Sequence, residues 1–254
     1  MSTEYPGRGD PVRTMELLWE ARERGARGPK PGLTIEQIVT TAVEIADADG
    51  LDGLSMRRVA ERLGVGTMSL YRYVPGKAEL LDVMVDRVSG EIEGSAKPPR
   101  GWRRRLERVA REHRRLYERH PWLLQVFPGR PPLGPGVMAR YDHELRAIEG
   151  IGLSDVEMDS VLTLVLGYVR GWAASAIESA QVVERTGQTD AQWWSAFEPL
   201  VERVFDAERY PLAARVGTAA SEQYEGPYDP EHAFEFGLER LLDGVEAYVE
   251  RSAR

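Results

Sequence analysis

The side chains best suited to chemistry in this sequence form a cationic cluster between Ser55 and Lys77. Five basic residues stand there against one acidic residue, Glu61, so the segment carries +4. The whole chain has 33 Lys and Arg against 41 Asp and Glu and carries −8, so the remaining residues carry −12. An arginine fork can donate to guanine O6 and N7 together, and lysine, serine and tyrosine hold phosphate oxygens. The segment is therefore a candidate nucleic-acid face, and its cations are Arg57, Arg58, Arg62, Arg72 and Lys77.

Catalytic chemistry finds no comparable support in the sequence. The chain has no cysteine, which excludes disulfides, thiolate nucleophiles and cysteine-ligated metals. The four histidines lie far apart, and neither a G-x-S-x-G motif nor a phosphate-binding glycine loop is present. Asp142, His143 and Glu144 would point to different faces of a helix, and His143 is interpreted as a surface residue. We therefore predict no enzyme activity, no cofactor and no metal site.

Short helices must position the cationic cluster. Thr34 and Gln37 form a capping-box pattern that begins a first helix, and an Asp-Gly pair ends it. Ser55 caps a two-turn helix, and Gly64 supplies the left-handed residue that a helix end favours. Two short helices joined by a tight glycine turn and docked on a longer helix describe a helix-turn-helix unit. The third and fourth helices are expected over about 67–73 and from 77 onward.

The rest of the chain predicts longer helices separated by Pro/Gly loops, so the fold class is all-α. No β-hairpin signal or internal repeat interrupts this pattern. A breaker-rich linker, Gly94 to Pro99, separates the two parts. The longest apolar run, Val161 to Val169, is shorter than the about 20 residues of a membrane span. We therefore expect a cytoplasmic protein with no membrane partner, divided into 1–33, 34–94 and 100–254, with main helices over about 102–119, 137–149, 154–184 and 231–250.

The first 33 residues are rich in Gly, Pro and Arg and are expected to be weakly structured. Met15, Leu18, Trp19 and Arg22 recur at helical spacing and predict one short helix. Residues 22–30 carry four positive charges and one negative charge. They form either a basic arm that reaches an adjacent minor groove or a merely solubilising tail, and the second interpretation is favoured.

The stretch LSMRRVAERLGVGTMSLYRYVPGKAELLD, from Leu54 to Asp82, resembles the DNA-binding domain of the tetracycline-repressor (TetR) family. A second segment, from Phe234 to Leu238, resembles the last helix of that family's regulatory domain. The resemblance implies that Arg57 reads guanine. It also implies two further sets of contacts. The residues expected to face the major groove are Gly66, Thr67, Met68 and Arg72. The residues expected to contact phosphates are Ser69, Tyr71, Tyr73 and Lys77.

The resemblance also implies a mechanism. Family members are dimers in which helices matching 154–184 and 231–250 pair with their copies. The implied function is a homodimeric repressor of an inverted-repeat operator, released when a small-molecule effector binds the C-terminal domain. The alternative is a dimeric DNA-binding regulator without such an effector, controlled by a protein partner or by abundance. A Gln common at the Thr67 position in the family is missing, so no operator sequence is predicted.

A ligand pocket should be apolar with a few polar groups, and aromatic residues of the C-terminal helices are its candidates. An ordinary core is the favoured alternative for the same residues, because aromatic side chains at helical spacing usually form one. The family's metal–tetracycline class uses pocket histidines at two places that correspond to Glu93 and Phe127 here, so the resemblance does not imply magnesium–tetracycline sensing. The candidate pocket residues are Val109, His113, Tyr117, Trp122, Phe127, Tyr141, Glu144, Tyr168 and Trp172.

Overall fold

A computed structural model of the chain describes residues 9–20, 33–92, 98–126, 131–224 and 229–252. Every regular element in these ranges is helical, as the sequence predicts. A π-helical turn, Glu16–Glu20, follows α1, and a 3-10 turn, Pro121–Gln125, follows α6. The α-helices are α1 Pro11–Met15, α2 Ile35–Gly53, α3 Met56–Leu63, α4 Thr67–Leu70, α5 Lys77–Ser89, α6 Trp102–Arg119, α7 Pro135–Arg146, α8 Asp155–Thr186, α9 Asp190–Val204, α10 Pro211–Tyr224 and α11 Pro230–Ser252.

The helix-turn-helix unit forms for the local reasons that its sequence contains. The capping box between Thr34 and Gln37 is present, and the Ser55 side chain accepts from the Arg58 N–H. Gly64 ends α3 in the left-handed conformation, with φ 69°. Helix α4 is shorter than the expected 67–73, because the chain tightens after Leu70 into a turn in which the Tyr73 N–H bonds to the Leu70 carbonyl at 2.8 Å.

Two hydrophobic cores stabilise the chain. The first packs α2 to α5 together with Leu116, Trp122, Leu123 and Val126, so it continues from the helix-turn-helix unit into the 3-10 turn. The second joins α6 and α8 to α11 and includes Phe234, which is fully buried. Both cores therefore meet at α6 and the turn that follows it.

Helix α8 is the most apolar element. By length and composition alone it could cross a membrane, yet only 22% of its most apolar window is buried within the chain. Its N-terminus is closed by a capping box between Ser154 and Glu157. Large apolar side chains such as Val156 and Leu164 remain exposed. The helix thus has a face that the described part of this chain does not cover.

The two helices that follow, α9 and α10, have no buried residue. The sequence patterns used above did not predict them. They are linked to each other by the Trp194 indole N–H, which donates to the Ser221 hydroxyl at 3.0 Å. Helix α9 follows α8 in the chain, and α10 precedes α11. The pair α9 and α10 therefore stands in the chain between the end of α8 and the start of α11.

The N-terminal segment is ordered where it meets α5. Helix α1 begins after Asp10, whose side chain accepts from the Val12 N–H. The sequence predicted a short helix through Met15, Leu18 and Trp19, and these residues lie in α1 and the π-helical turn that continues it, which together begin at Pro11. The residues expected to form the basic arm, 22–30, lie outside the described residues.

Candidate nucleic-acid interface

Helices α3 and α4 present the predicted DNA-contacting residues on one side and bury their scaffold on the other. The Arg57 side chain is 82% exposed and Met68 is 77% exposed, whereas Leu70 is fully buried. Tyr71 and Arg72 are exposed, and Tyr73 packs partly against the first core. Gly66, Thr67 and Ser69 lie between these positions at the start of the short helix. Insertion of a helix into the major groove needs exposed side chains on one face and a buried anchor on the other, and this surface has both.

Two of the arginines in this cluster are engaged within the chain. Arg57 Nε lies 2.7 Å from Glu61 Oε1, and this hydrogen bond raises the pKa of Arg57. Arg58 donates to Asp49 at 2.6 Å and lies 3.3 Å from the Gly53 carbonyl. Arg58 therefore braces α3 against the end of α2, whereas Arg57 and Glu61 form an exposed ion pair within α3.

Lys77 stands at the first residue of α5 and its Nζ lies 3.4 Å from the Leu51 carbonyl. This position places a cation beside α4 and at the beginning of the helix that leads away from it. A lysine so placed suits a phosphate contact, which positions the protein without reading sequence.

A polar joint connects this domain to the C-terminal helices. Asp47 on α2 accepts from Trp122 Nε1 at 2.7 Å and lies 2.7 Å from His120 Nδ1. The other ring nitrogen of His120 lies 3.2 Å from Glu91, which also receives Arg119 at 2.9 Å. Burial alone would raise the pKa of Glu91, but the hydrogen bonds from His120 and Arg119 outweigh it and lower the pKa. Because His120 and Trp122 are almost fully buried, Asp47 satisfies donors that water cannot reach.

A second joint is a close helix crossing between α5 and α7. The Asp86 carboxylate accepts the Val137 N–H at 2.9 Å, at the N-terminus of α7, where the helix dipole favours a negative charge. A Cβ placed on Gly136 would lie 2.0 Å from the Asp86 carbonyl oxygen, and one on Gly134 would lie 2.4 Å from the Asp86 carboxylate. Only glycine allows the two backbones to approach this closely.

The structure brings some of the predicted pocket residues together as packed polar and aromatic groups. His113 Nε2 lies 2.5 Å from Glu144 Oε1, both side chains are buried, and the Tyr117 ring is near the His113 ring. Tyr168 and Trp172 pack on Phe234 of α11, and the Tyr168 hydroxyl donates to the Ala233 carbonyl at 2.6 Å.

The other predicted pocket residues are scattered. Val109 belongs to the second core and Trp122 to the first. Tyr141 is exposed and donates to Asp159 at 2.8 Å. Phe127 lies outside the described residues, as does Glu93. The role of these nine residues in ligand binding stays a prediction.

His143 is not the simple surface residue that the sequence suggested. Its Nε2 lies 2.9 Å from Glu112 on α6, and both side chains are largely buried, at 16% and 15% exposure. With His113 and Glu144 it forms two crossed histidine–glutamate pairs between α6 and α7. Within the described residues, no group of three acidic or histidine side chains is arranged to hold a metal ion.

A cavity of about 340 Å³ lies between the 3-10 turn and the C-terminal half of α8. Its wall mixes apolar side chains with charged and amide groups, and it is an open cleft, since most of the α8 residues that line it are exposed. None of the nine predicted pocket residues lines it. The signal that sequence reasoning missed is the i, i+3, i+4 series on α8 facing a proline turn, and the lining residues are Pro121, Leu124, Gln125, Ala174, Ile177, Glu178, Gln181, Val182 and Arg185.

Comparison with known proteins decides the family. The family model described as bacterial regulatory proteins, tetR family, matches residues 38–84, and the tetracyclin repressor-like C-terminal domain model matches residues 95–249. The HTH-type transcriptional repressor DrrR1 of Streptomyces coeruleorubidus is 52% identical over 249 residues, 98% of this chain and 90% of that protein. The chain belongs to the TetR family.

Solved structures agree with this assignment for this TetR-family repressor. Apo ActR from Streptomyces coelicolor superposes with a TM-score of 0.70 at 28% identity, over 88% of this chain and all of that one. ActR in complex with actinorhodin gives a TM-score of 0.68 at 29% identity, over 85% of this chain and 96% of that one. The prediction of an all-α, non-enzymatic DNA-binding regulator is confirmed.

Proposed function

We propose that this TetR-family repressor is a cytoplasmic homodimer that reads an inverted repeat and leaves it when a small molecule fills the cavity beside α8. The observation that carries the DNA-binding part is the exposed cationic face of α3 and α4 on an otherwise acidic chain. One short recognition helix contacts few base pairs, so two are needed for useful selectivity.

The dimer is supported by the apolar surface that one chain leaves uncovered. Helix α8 keeps Val156 and Leu164 exposed, and α11 keeps Phe236 exposed. Helix α9 adds an exposed pair formed by Trp193 and Phe197, whose rings stack at 4.5 Å. Exposed apolar surface of this extent marks an interface, and a second copy of the chain would cover it in a two-fold arrangement.

The effector part is supported by the position of the 3-10 turn. Leu124 and Gln125 line the cavity, whereas Trp122 in the same turn reaches Asp47 on α2. Arg170 on α8 donates to the carbonyl of Leu124 at 2.6 Å and thereby holds the turn against the cavity wall. A ligand that displaces this turn would move the DNA-binding domain, and DNA would weaken ligand binding by the same factor.

The test of the proposed function is selection of bound duplexes from a random library at near-physiological salt, with light scattering on the same sample. We expect an inverted repeat with half-sites separated by about one helical turn. We also expect the protein mass, measured without DNA or after subtraction of the duplex, to be twice 28.5 kDa. Recovery of unrelated sequences, or a monomeric mass on the DNA, would contradict the proposal.

Arg57→Ala and Lys77→Ala should weaken DNA binding in different ways. Loss of Arg57 should reduce affinity for the selected repeat about tenfold or more and relax one base position, if its fork reads guanine. Loss of Lys77 should weaken binding to all DNA sequences alike. It should also reduce the steepness of log affinity against log salt concentration by about one. The measurement is anisotropy titration on specific and random duplexes over a salt series. Equal losses on both duplexes for Arg57→Ala would refute its reading role.

Filling the cavity should reduce effector binding. Actinorhodin, the ligand in one ActR complex, is the first probe. Ala174→Leu places a larger side chain in the cavity wall and should weaken actinorhodin binding about tenfold through overpacking. Ala180→Leu is the control, since Ala180 is also exposed on α8 but does not line the cavity. Titration by intrinsic fluorescence, followed by DNA release, measures both steps; equal losses in the two variants would place the ligand elsewhere.

A further inference from the structure

The N-terminal segment from Asp10 to Trp19, termed the strap, lies against the helix that leads away from the recognition helix. The Asp10 N–H lies 3.3 Å from Glu79 Oε1, and the Thr14 hydroxyl lies 3.4 Å from Asp82 Oδ2. Leu18 is only 4% exposed. The strap therefore docks on the first two turns of α5, the end nearest to α4.

The face of α5 that the strap covers is unusual for a buried helix surface. Glu79, Asp82 and Asp86 follow one another along it, and none of the three is more than 8% exposed. Buried carboxylates need donors. Strap groups approach Glu79 and Asp82, and the N-terminus of α7 donates to Asp86. The strap and α7 thus cover successive parts of one acidic stripe.

The strap also reaches the C-terminal helices. The Trp19 indole N–H donates to the Leu133 carbonyl at 3.0 Å, just before α7 begins. One end of the strap is therefore fixed to the DNA-proximal part of α5, and the other end is fixed to the chain that enters α7. This arrangement braces the tilt of α5 against the chain that enters α7, three residues before Gly136 of the glycine crossing.

Small tilts of α5 matter for DNA recognition. From Lys77 to Ser89 the helix is about 18 Å long at 1.5 Å per residue. A swing of about 10° about Asp86 would displace Lys77, about 14 Å away along the helix, by about 2 Å, which is more than half of the 3.4 Å rise of one base pair. In a dimer, that displacement changes the separation of the two recognition helices.

We propose that the strap is a positioning element that fixes half-site spacing, with Leu18 and Trp19 as its anchors. The proposal rests on the proposed function, because spacing has meaning only for a dimer on an inverted repeat. It predicts that loosening the strap leaves recognition of each half-site intact and relaxes the choice between spacings.

The experiment compares affinities for the selected repeat with its spacer unchanged, shortened by one base pair and lengthened by one base pair. We expect the full-length wild-type chain to lose about tenfold on either altered spacer, within the range of a mismatched site. Leu18→Ala/Trp19→Ala should reduce this penalty to about threefold or less, with binding to a duplex carrying one half-site unchanged. Val12→Ala is the matched control, since Val12 lies on the strap but is 66% exposed.

Hydrogen exchange of α5 amides in the same variants reports whether the strap has been released. If the double variant does not fold, Thr14→Val/Trp19→Phe removes only the two side-chain donors and takes its place. Faster α5 exchange with the wild-type spacing penalty retained would overturn the proposal, as would an equal loss on all spacings. A wild-type chain that binds no inverted repeat would instead overturn the proposed function, so the two failures are distinct.

Discussion

Asp47→Ala should uncouple the DNA-binding domain from the C-terminal helices and destabilise the chain by about 3 kcal/mol, since two buried donors lose their acceptor. These donors are the ring nitrogens of His120 and Trp122, each 2.7 Å from Asp47 Oδ1. His120 and Trp122 are almost fully buried, whereas the Asp47 side chain that accepts from them is 29% exposed. Denaturant unfolding followed by tryptophan fluorescence measures the loss. The same variant should bind DNA but respond less to the effector, because the 3-10 turn loses its polar link to α2 and keeps only the apolar packing.

Asp49→Ala provides the comparison. Asp49 lies on the same helix and pairs with Arg58, but both side chains are more than 40% exposed. An exposed ion pair contributes about 1 kcal/mol at most. Equal destabilisation by the two substitutions would show that the joint at Asp47 does not connect the domains.

Gly136→Ala should open the crossing between α5 and α7. The new Cβ would meet the Asp86 carbonyl oxygen at 2.0 Å, so the backbones must separate and the hydrogen bond from the Val137 N–H to Asp86 must lengthen. Overpacking together with the weakened charge-assisted bond should destabilise the chain by about 3 kcal/mol. Thermal unfolding measures this loss, and DNA binding measured below the transition shows whether α5 has shifted.

Gly90→Ala is the matched control at the same crossing. A Cβ at Gly90 would lie 3.4 Å from the Arg87 carbonyl and 3.6 Å from the Gly136 Cα, which is ordinary contact. Its φ of −70° is accessible to alanine. We expect a change of about 1 kcal/mol or less. A Gly136→Ala variant as stable as Gly90→Ala would show that the close approach is not required.

The helix-turn-helix unit could be predicted from sequence because its determinants are local. Thr34 with Gln37, Ser55 and Gly64 each fix a helix end within a few residues, and the structure contains all three features. The family could be identified for the same reason, since its motif lies in one continuous stretch. The start of α8 at Ser154 follows the same logic.

The joints and the cavity could not be predicted, because they depend on contacts between distant parts of the chain. Asp47 and Trp122 are 75 residues apart, and Trp19 and Leu133 are 114 apart. Periodicity shows which face of a helix is apolar but not which helix will cover it. The contacts of Tyr168 and Trp172 with α11 are an example of packing that periodicity does not reveal.

The separation of charge described at the outset has a consequence for the search for the operator. Because the residues outside 55–77 together carry −12, approach of the protein to duplex DNA is repulsive in most orientations. Approach with the α3–α4 face leading is attractive. Encounters are thereby oriented before contact, and a misaligned protein is rejected rather than held on random sequence. The negative charge outside the α3–α4 face should thus shorten the time that the protein spends bound to random sequence and speed its search for the operator.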